Sequence, residues 1–89
     1  MSLDKNSILK ELQQIPGVGK SISLDLYNLG IRSINDLIGK DPEALYDAFC
    51  RQQGCVVDRC LLYVFRCAVY FASTANPEPA LLKWWWWKD

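Results

Sequence analysis

The sequence predicts an all-α single domain built from five helices. Apolar residues recur at helical spacing in successive segments, glycine or proline separates these segments, and no segment alternates apolar and polar residues as a half-buried strand does. A chain of 89 residues is long enough for one domain and not for two. Its 51% apolar and 22% charged residues are typical of a globular domain rather than a disordered chain.

The first two helices are predicted on either side of a proline–glycine pair. The first spans residues 5–14 and is amphipathic, and it is expected to stop at Pro16 and Gly17 because proline lacks the amide donor that a helix requires. The second starts near Lys20 and ends at Gly30, which follows the last inward-facing leucine and is typical of a helix C-cap.

Three further helices follow. A short third helix is expected between Ser33 and Gly39, with the serine as its cap. The fourth helix runs from about 42 to 53, since Asp41 is a capping carboxylate and Pro42 suits the first helical position. The fifth helix, residues 58–73, is apolar on nearly every side and is therefore expected to be the central one.

The composition changes after Asn76. Pro77 and Pro79 interrupt helix formation, and four consecutive tryptophans, Trp84–Trp87, stand near the end of the chain. We therefore assign residues 1–76 to the domain and residues 77–89 to a tail. Four freely exposed tryptophans would form a large apolar patch, so we expect the tail to pack on its own domain or on a partner.

One stripe on the fifth helix offers a docking surface for this tail. Arg59, Tyr63, Arg66 and Tyr70 fall on one narrow face at helical spacing. Arginine stacks well on aromatic rings, which favours docking of the tryptophans. A solvated face and a strip that faces DNA are the two other interpretations.

The segment between the first two helices carries the main functional signal. Gly17 and Gly19 flank Val18, and a tight turn needs positive-φ positions that glycine supplies without steric cost. We expect Val18 to insert between the helices while the amides around the glycines face outward. These amides lie at a helix N-terminus, which attracts phosphate, and Lys20 adds a cation. A plain connection between helices is the alternative.

Residues 12–20, Leu-Gln-Gln-Ile-Pro-Gly-Val-Gly-Lys, together with Leu26 and Leu29-Gly30-Ile31, resemble the helix-hairpin-helix motif of DNA repair and replication proteins. The resemblance implies that backbone amides of the turn bind DNA phosphates. It also implies a monovalent cation held by carbonyl groups of the turn, and no other cofactor. The site carried over by the resemblance comprises Pro16, Gly17, Val18, Gly19, Lys20 and Ser21.

Nearly the whole chain resembles a family of short bacterial pathogenicity-locus and mitomycin-resistance proteins. The resemblance rests on the turn, on Leu29–Ser33, on Asp41-Pro42, on Asp58-Arg59-Cys60 and on the tryptophan-rich end. It implies fold more than mechanism, because the family name reports gene context.

The fourth and fifth helices could form a second, degenerate helix-hairpin-helix, which would make the fold a tandem, SAM-like arrangement. Gly54 takes the place of the first glycine, whereas Val56 stands where the second would be. This half either binds DNA or is only structural. The residues of the possible second DNA site are Gly54, Cys55, Arg51 and Arg59.

Neither catalysis nor a metal site is expected. The chain has no histidine, so a Ser-His or Cys-His nucleophile pair is impossible, and no nucleotide-binding glycine loop of Walker or Rossmann type is present. Four cysteines, separated by four, four and six residues, lack a Cys-x-x-Cys pair. Placement of Cys60 and Cys67 beside Val64 and Phe71 favours packing in the core over zinc.

These observations favour sequence-independent binding of duplex DNA by an accessory protein of DNA repair or maintenance. Ten acidic and ten basic side chains cancel, which keeps a protein–protein interaction module without DNA binding as the alternative. We expect a monomer or a weak homodimer. No apolar run approaches the ~20 residues of a membrane span, and Met1–Lys5 has no signal-peptide core, so a cytoplasmic location with reduced cysteines is expected.

Overall fold

The computed structural model describes residues 4–88, and this part of the chain is all-helical, without strands. Four α-helices are formed: α1, Lys5–Leu12; α2, Lys20–Asn28; α3, Pro42–Gln53; and α4, Cys60–Ser73. Single turns of 3-10 helix occupy Ile34–Leu37, Pro79–Leu82 and Trp84–Trp87. Residues 1–3 of the predicted domain and Asp89 of the predicted tail lie outside the described residues.

The prediction of five helices is wrong by one, because the expected third helix is a single 3-10 turn, Ile34–Leu37. A segment this short gains too few hydrogen bonds to nucleate an α-helix. Its first amide is also not capped by Ser33: the Ile34 amide donates to the Glu11 Oε2 atom of α1 at 2.7 Å. The turn is therefore held in place by another helix rather than by its own cap.

Local capping explains where α3 starts and where α2 ends. The Asp41 carboxylate accepts a hydrogen bond from the Glu43 amide at 3.0 Å, and Pro42 occupies the first turn of α3. Beyond α2, Gly30 has a φ of +95°, and the next amide, that of Ile31, bonds back to the Leu26 carbonyl at 3.0 Å. These starts and stops agree with the sequence patterns.

The apolar α4 is the central helix, as predicted. It packs against α3, against the Ile34–Leu37 turn and against the tryptophan turn. The buried apolar side chains are Ile8, Leu12, Ile15, Val18, Leu26, Ile31, Leu37, Tyr46, Phe49, Leu62, Val64, Phe65, Cys67 and Ala68. Within residues 4–88, no helix combines the length and apolar character that crossing a bilayer requires.

Candidate functional site

The segment that joins α1 to α2, which we call the α1–α2 turn (residues 13–19), begins earlier than predicted. Helix α1 ends at Leu12 rather than at residue 14. The amides of Gln14 and Ile15 then form bonds of 3-10 type, such as that from Ile15 N to Leu12 O at 3.1 Å. Pro16 keeps the helix from continuing through Ile15, because a residue that precedes proline avoids the α conformation.

Val18 fixes the turn against the core. Its side chain is only 5% exposed, and its amide donates to the Ile15 carbonyl at 3.0 Å. The insertion of this side chain between the helices agrees with the sequence analysis. As a result, the glycines on either side of Val18 are held at the surface, where both are exposed.

The two glycines of the turn differ in conformation. Gly17 has a φ of +86°, whereas Gly19 has a φ of −95° and a ψ of −165°, so the expectation of a positive φ is wrong for Gly19. A Cβ atom added to Gly19 would meet no atom of the described residues within 4 Å. Neither backbone strain nor internal packing therefore accounts for glycine at position 19. The missing side chain leaves the approach to α2 open.

The N-terminus of α2 is uncapped. Gly19 occupies the N-cap position, and its carbonyl accepts the first helical bond, from the Ser23 amide at 2.9 Å. The amides of Lys20, Ser21 and Ile22 have no hydrogen-bond partner among residues 4–88. No acidic residue stands in the first turn of α2. The positive end of the helix dipole is therefore neither hydrogen-bonded nor neutralised locally.

A cationic groove of about 350 Å³ adjoins this helix end. It is lined by Asn6, Leu9, Lys10, Gln13 and Lys20. Two lysines and no carboxylate are among these lining residues. The fully buried Ser23 hydroxyl donates to the Lys20 carbonyl at 2.8 Å, which stabilises the first turn of α2 beside the groove.

The second turn, between α3 and α4, has a different structure. Gly54 has a φ of +73°, as the first glycine of a hairpin would, but the next two residues, Cys55 and Val56, are exposed, with Val56 at 85%. The apolar anchor is instead Val57, whose side chain packs against the core and whose carbonyl accepts a hydrogen bond from the Tyr46 hydroxyl. The Gly-Val-Gly arrangement is thus not repeated.

A carboxylate occupies the N-terminus of α4. Asp58 accepts a hydrogen bond from the Cys60 amide at 2.8 Å, and this bond lowers the pKa of Asp58. Arg51 and Arg59, the predicted phosphate partners, are exposed on either side of the second turn. Because Asp58 satisfies an amide and adds a negative charge, this helix end is a poor place for an anion.

The four tryptophans divide into two pairs. A 3-10 helix has three residues per turn, so Trp84 and Trp87 share one side of the Trp84–Trp87 turn. Trp84 packs against the core, and Trp87 donates from Nε1 to the Leu81 carbonyl at 2.8 Å. Trp85 and Trp86 remain 50% and 62% exposed.

Two residues of the α4 stripe hold the tail. Arg66 donates from Nη1 to the Trp87 carbonyl at 2.7 Å, and its other terminal nitrogen lies 3.3 Å from Glu43 Oε1. The Tyr70 ring centroid is 5.4 Å from that of Trp87, and its hydroxyl accepts a bond from the Glu78 amide at 2.9 Å. A cavity of about 590 Å³ lies beside these contacts. It is lined by Pro42, Arg66, Val69, Tyr70, Trp86, Trp87 and Lys88.

The tail also reaches the α1–α2 turn, which the sequence patterns did not indicate. A Cβ atom placed on Gly17 would lie 3.4 Å from Cδ1 of Trp84 and 3.8 Å from its Cβ. The two residues come from distant parts of the chain, so no local signal predicts their contact. The tryptophan turn is therefore a direct neighbour of the candidate anion site.

The cysteines do not form one cluster. Cys67 is fully buried, whereas Cys60 is exposed, so the expectation that both are buried in the core is wrong for Cys60, which stands at the solvent end of α4. Burial raises the pKa of Cys67, and a hydrogen bond to the Asp58 carboxylate is the main cause that raises the pKa of Cys60. Over residues 4–88, no three potential metal ligands come together.

Fold and site define a small all-α protein with an uncapped helix N-terminus beside a tryptophan-rich segment. The chain belongs to the pathogenicity locus family (Cdd1), whose sequence pattern matches residues 5–89. The matched range includes both the helices and the tryptophan turn. No curated protein and no solved structure matches the chain.

Proposed function

We propose that this protein binds the DNA backbone without sequence preference, as an accessory protein of DNA repair or maintenance that performs no catalysis. The α1–α2 turn acts as a helix-hairpin-helix element, and the N-terminus of α2 receives a phosphate. One observation carries the proposal: α2 presents free amides, a glycine N-cap and no acidic residue in its first turn. The proposed contact residues are Pro16, Gly17, Val18, Gly19, Lys20 and Ser21.

The chemistry of this helix end matches that of a DNA phosphate. Phosphate oxygens accept hydrogen bonds from free amides, and the helix dipole favours their charge. Lys20 and Lys10 line the groove and make it locally positive, although the whole chain has a net charge of zero. Contacts to phosphates carry no sequence information, so binding is expected on any duplex.

The second half serves a structural role in this proposal. A degenerate hairpin around Gly54 keeps the positive-φ glycine, but the Asp58 carboxylate caps the helix that follows it. Arg51 and Arg59 then contribute only to the long-range electrostatic attraction of DNA, not to a phosphate site. A single phosphate-binding turn and weak affinity are expected, on the order of 10⁻⁴ to 10⁻⁶ M near physiological salt.

The carbonyl oxygens of the turn are suitable ligands for the monovalent cation that the helix-hairpin-helix resemblance implies. The carbonyl groups of Pro16, Gly17 and Val18 accept no hydrogen bond from the described residues. Uncharged carbonyl oxygens are suitable ligands for a hard, singly charged ion. If they hold one, it would add positive charge beside the phosphate.

Titration of a random-sequence duplex with the Gly19→Val variant tests the proposal. The backbone at Gly19 lies in the β region, which valine tolerates, and the added Cβ meets no described atom within 4 Å, so the fold is retained. The side chain then stands where the phosphate must approach, and affinity is expected to fall at least about tenfold, since a lost charge-assisted hydrogen bond costs on that order.

Ala44→Val is the control, because it also creates a valine, with one added carbon fewer, at an exposed position of α3. It is expected to bind as the parent does. Circular dichroism establishes that both variants are folded. If folded Gly19→Val binds duplex as tightly as the parent, the turn is not the DNA site.

A protein-interaction module is the second candidate, and the exposure of Trp85 and Trp86 favours it. Exposed aromatic side chains are enriched at protein interfaces. In that case the parent protein shows no DNA binding even at about 50 mM salt, where backbone contacts are strongest.

A further inference from the structure

The exposed pair of tryptophans follows from the geometry of the Trp84–Trp87 turn. Two rings face the domain, and the other two, Trp85 and Trp86, must face outward because consecutive residues of a 3-10 helix lie about 120° apart. Large exposed aromatic rings cost solvation free energy, which makes this surface a candidate for binding.

Trp85 is linked to the α1–α2 turn through Trp84. Trp84, which contacts Gly17, holds the Trp85 ring in an edge-to-face contact with centroids 5.8 Å apart. The Lys83 ammonium lies 5.9 Å from the centroid of the Trp85 ring. Both Lys83 and Trp85 are exposed. An aromatic ring and a cation therefore stand together, one ring contact away from the Trp84–Gly17 contact at the α1–α2 turn.

Trp86 faces a different part of the surface. Its ring lines the cavity formed with Tyr70, Val69 and Lys88 on the α4 side. The two exposed tryptophans thus have the same chemistry at different sites, which makes Trp86 a control for Trp85.

Resting on the proposed function, we propose that Trp85 stacks on an unpaired DNA base, so that the preferred ligand is a duplex with an adjoining single-stranded segment. Bases within a duplex present only their edges, whereas an unpaired base offers the π face that a tryptophan ring binds. Lys83 supplies a cation for the phosphate of the same strand. Stacking tolerates every base, which agrees with sequence-independent binding.

Fluorescence anisotropy with two labelled DNAs tests this inference: a blunt duplex and the same duplex with a single-stranded extension. Stacking of one base is worth about 1–3 kcal/mol, so the parent should prefer the extended duplex by about fivefold to a hundredfold. Trp85→Ala should lose this preference and keep the affinity for the blunt duplex. Trp85→Phe, which retains an aromatic face, should keep most of it, and Trp86→Ala should behave as the parent.

The inference and the proposed function fail in different ways. If Trp85→Ala keeps the preference while Gly19→Val weakens binding to blunt duplex, stacking at Trp85 is wrong and the turn remains the phosphate site. If Gly19→Val binds blunt duplex as the parent does, the proposed function is wrong. Trp85 could instead pack against a second copy of the chain. In that case sedimentation shows a dimer that Trp85→Ala dissociates, and the parent prefers neither DNA. This result also overturns the inference.

Discussion

Trp84 lies directly against Gly17, where a Cβ atom would stand 3.4 Å from its ring. This contact joins the end of the chain to the turn that precedes α2. The φ of +86° favours glycine at position 17, whereas a Cβ atom there would meet the tryptophan ring at ordinary van der Waals distance. The tail and the turn therefore form one continuous surface.

Gly17 and Gly19 are expected to differ in their effect on stability. Gly17→Ala forces a side chain into the left-handed region, which should lower the free energy of unfolding by about 1–3 kcal/mol. Gly19→Ala meets no steric barrier and should change it by less than about 0.5 kcal/mol. Urea denaturation of both variants measures the difference. Equal losses in the two variants would show that the positive φ of Gly17 does not matter for stability.

Arg66 is expected to hold the tryptophan tail. Its side chain, 18% exposed, donates a charge-assisted hydrogen bond to the Trp87 carbonyl, so Arg66→Ala should cost about 1.5–3 kcal/mol of stability. Acrylamide should then quench the tryptophan fluorescence more strongly, because the tail is released.

Glu43→Gln is the control for this variant. It removes only the ion pair between Arg66 and an exposed carboxylate, which is worth less than about 1 kcal/mol. Quenching should stay as in the parent. Unchanged quenching in Arg66→Ala would mean that packing alone retains the tail.

The Asp58 carboxylate is expected to suppress the reactivity of Cys60. Its hydrogen bond favours the protonated thiol and raises the pKa of Cys60, so the reactive thiolate forms only at higher pH. Asp58→Asn should shift the pH profile of Cys60 alkylation to lower pH. Mass spectrometry of the alkylated peptides follows this shift, with exposed Cys55 as the internal reference. An identical profile in the variant would exclude control by Asp58.

Local signals predicted the bounds of α3 and the end of α2. Asp41-Pro42 starts α3, Gly54 ends it, and Gly30 follows α2 in the left-handed conformation. Each of these signals acts on residues only a few positions away, so it can be recognised in the sequence alone. The Ile34–Leu37 turn was mistaken for an α-helix because its stabilising partner, the Glu11 carboxylate of α1, is distant in sequence.

The candidate site was predicted only in part, for the same reason. Burial of Val18 follows from the local Gly-Val-Gly pattern. The negative φ of Gly19 does not follow from the sequence. A glycine can be required either by a positive φ or by a ligand that approaches the backbone, and the residue type does not distinguish the two. The Gly17–Trp84 contact depends on how α4 positions the tail, which is a property of the whole fold.

Salt dependence should reveal how many phosphates the protein contacts. Each neutralised phosphate of a duplex contributes about −0.9 to the slope of log K against log salt. Two hairpins that contact about four phosphates would give a slope of roughly −4. One turn that contacts about two, one at the α2 amides and one at Lys20, should give roughly −2, because the Asp58 carboxylate disfavours a phosphate at the start of α4. Anisotropy titrations at several salt concentrations measure this slope. A value near −4 would show that the second turn also binds DNA.

Lys20 should account for about one unit of that slope, because its ammonium stands beside the uncapped end of α2. Lys20→Ala is therefore expected to weaken binding modestly and equally on every sequence, and to bring the slope to roughly −1. Lys40→Ala removes the same charge from an exposed position that precedes α3 and should leave the slope unchanged. If the two lysine variants reduce the slope equally, binding depends on diffuse charge and not on a phosphate held at the α1–α2 turn.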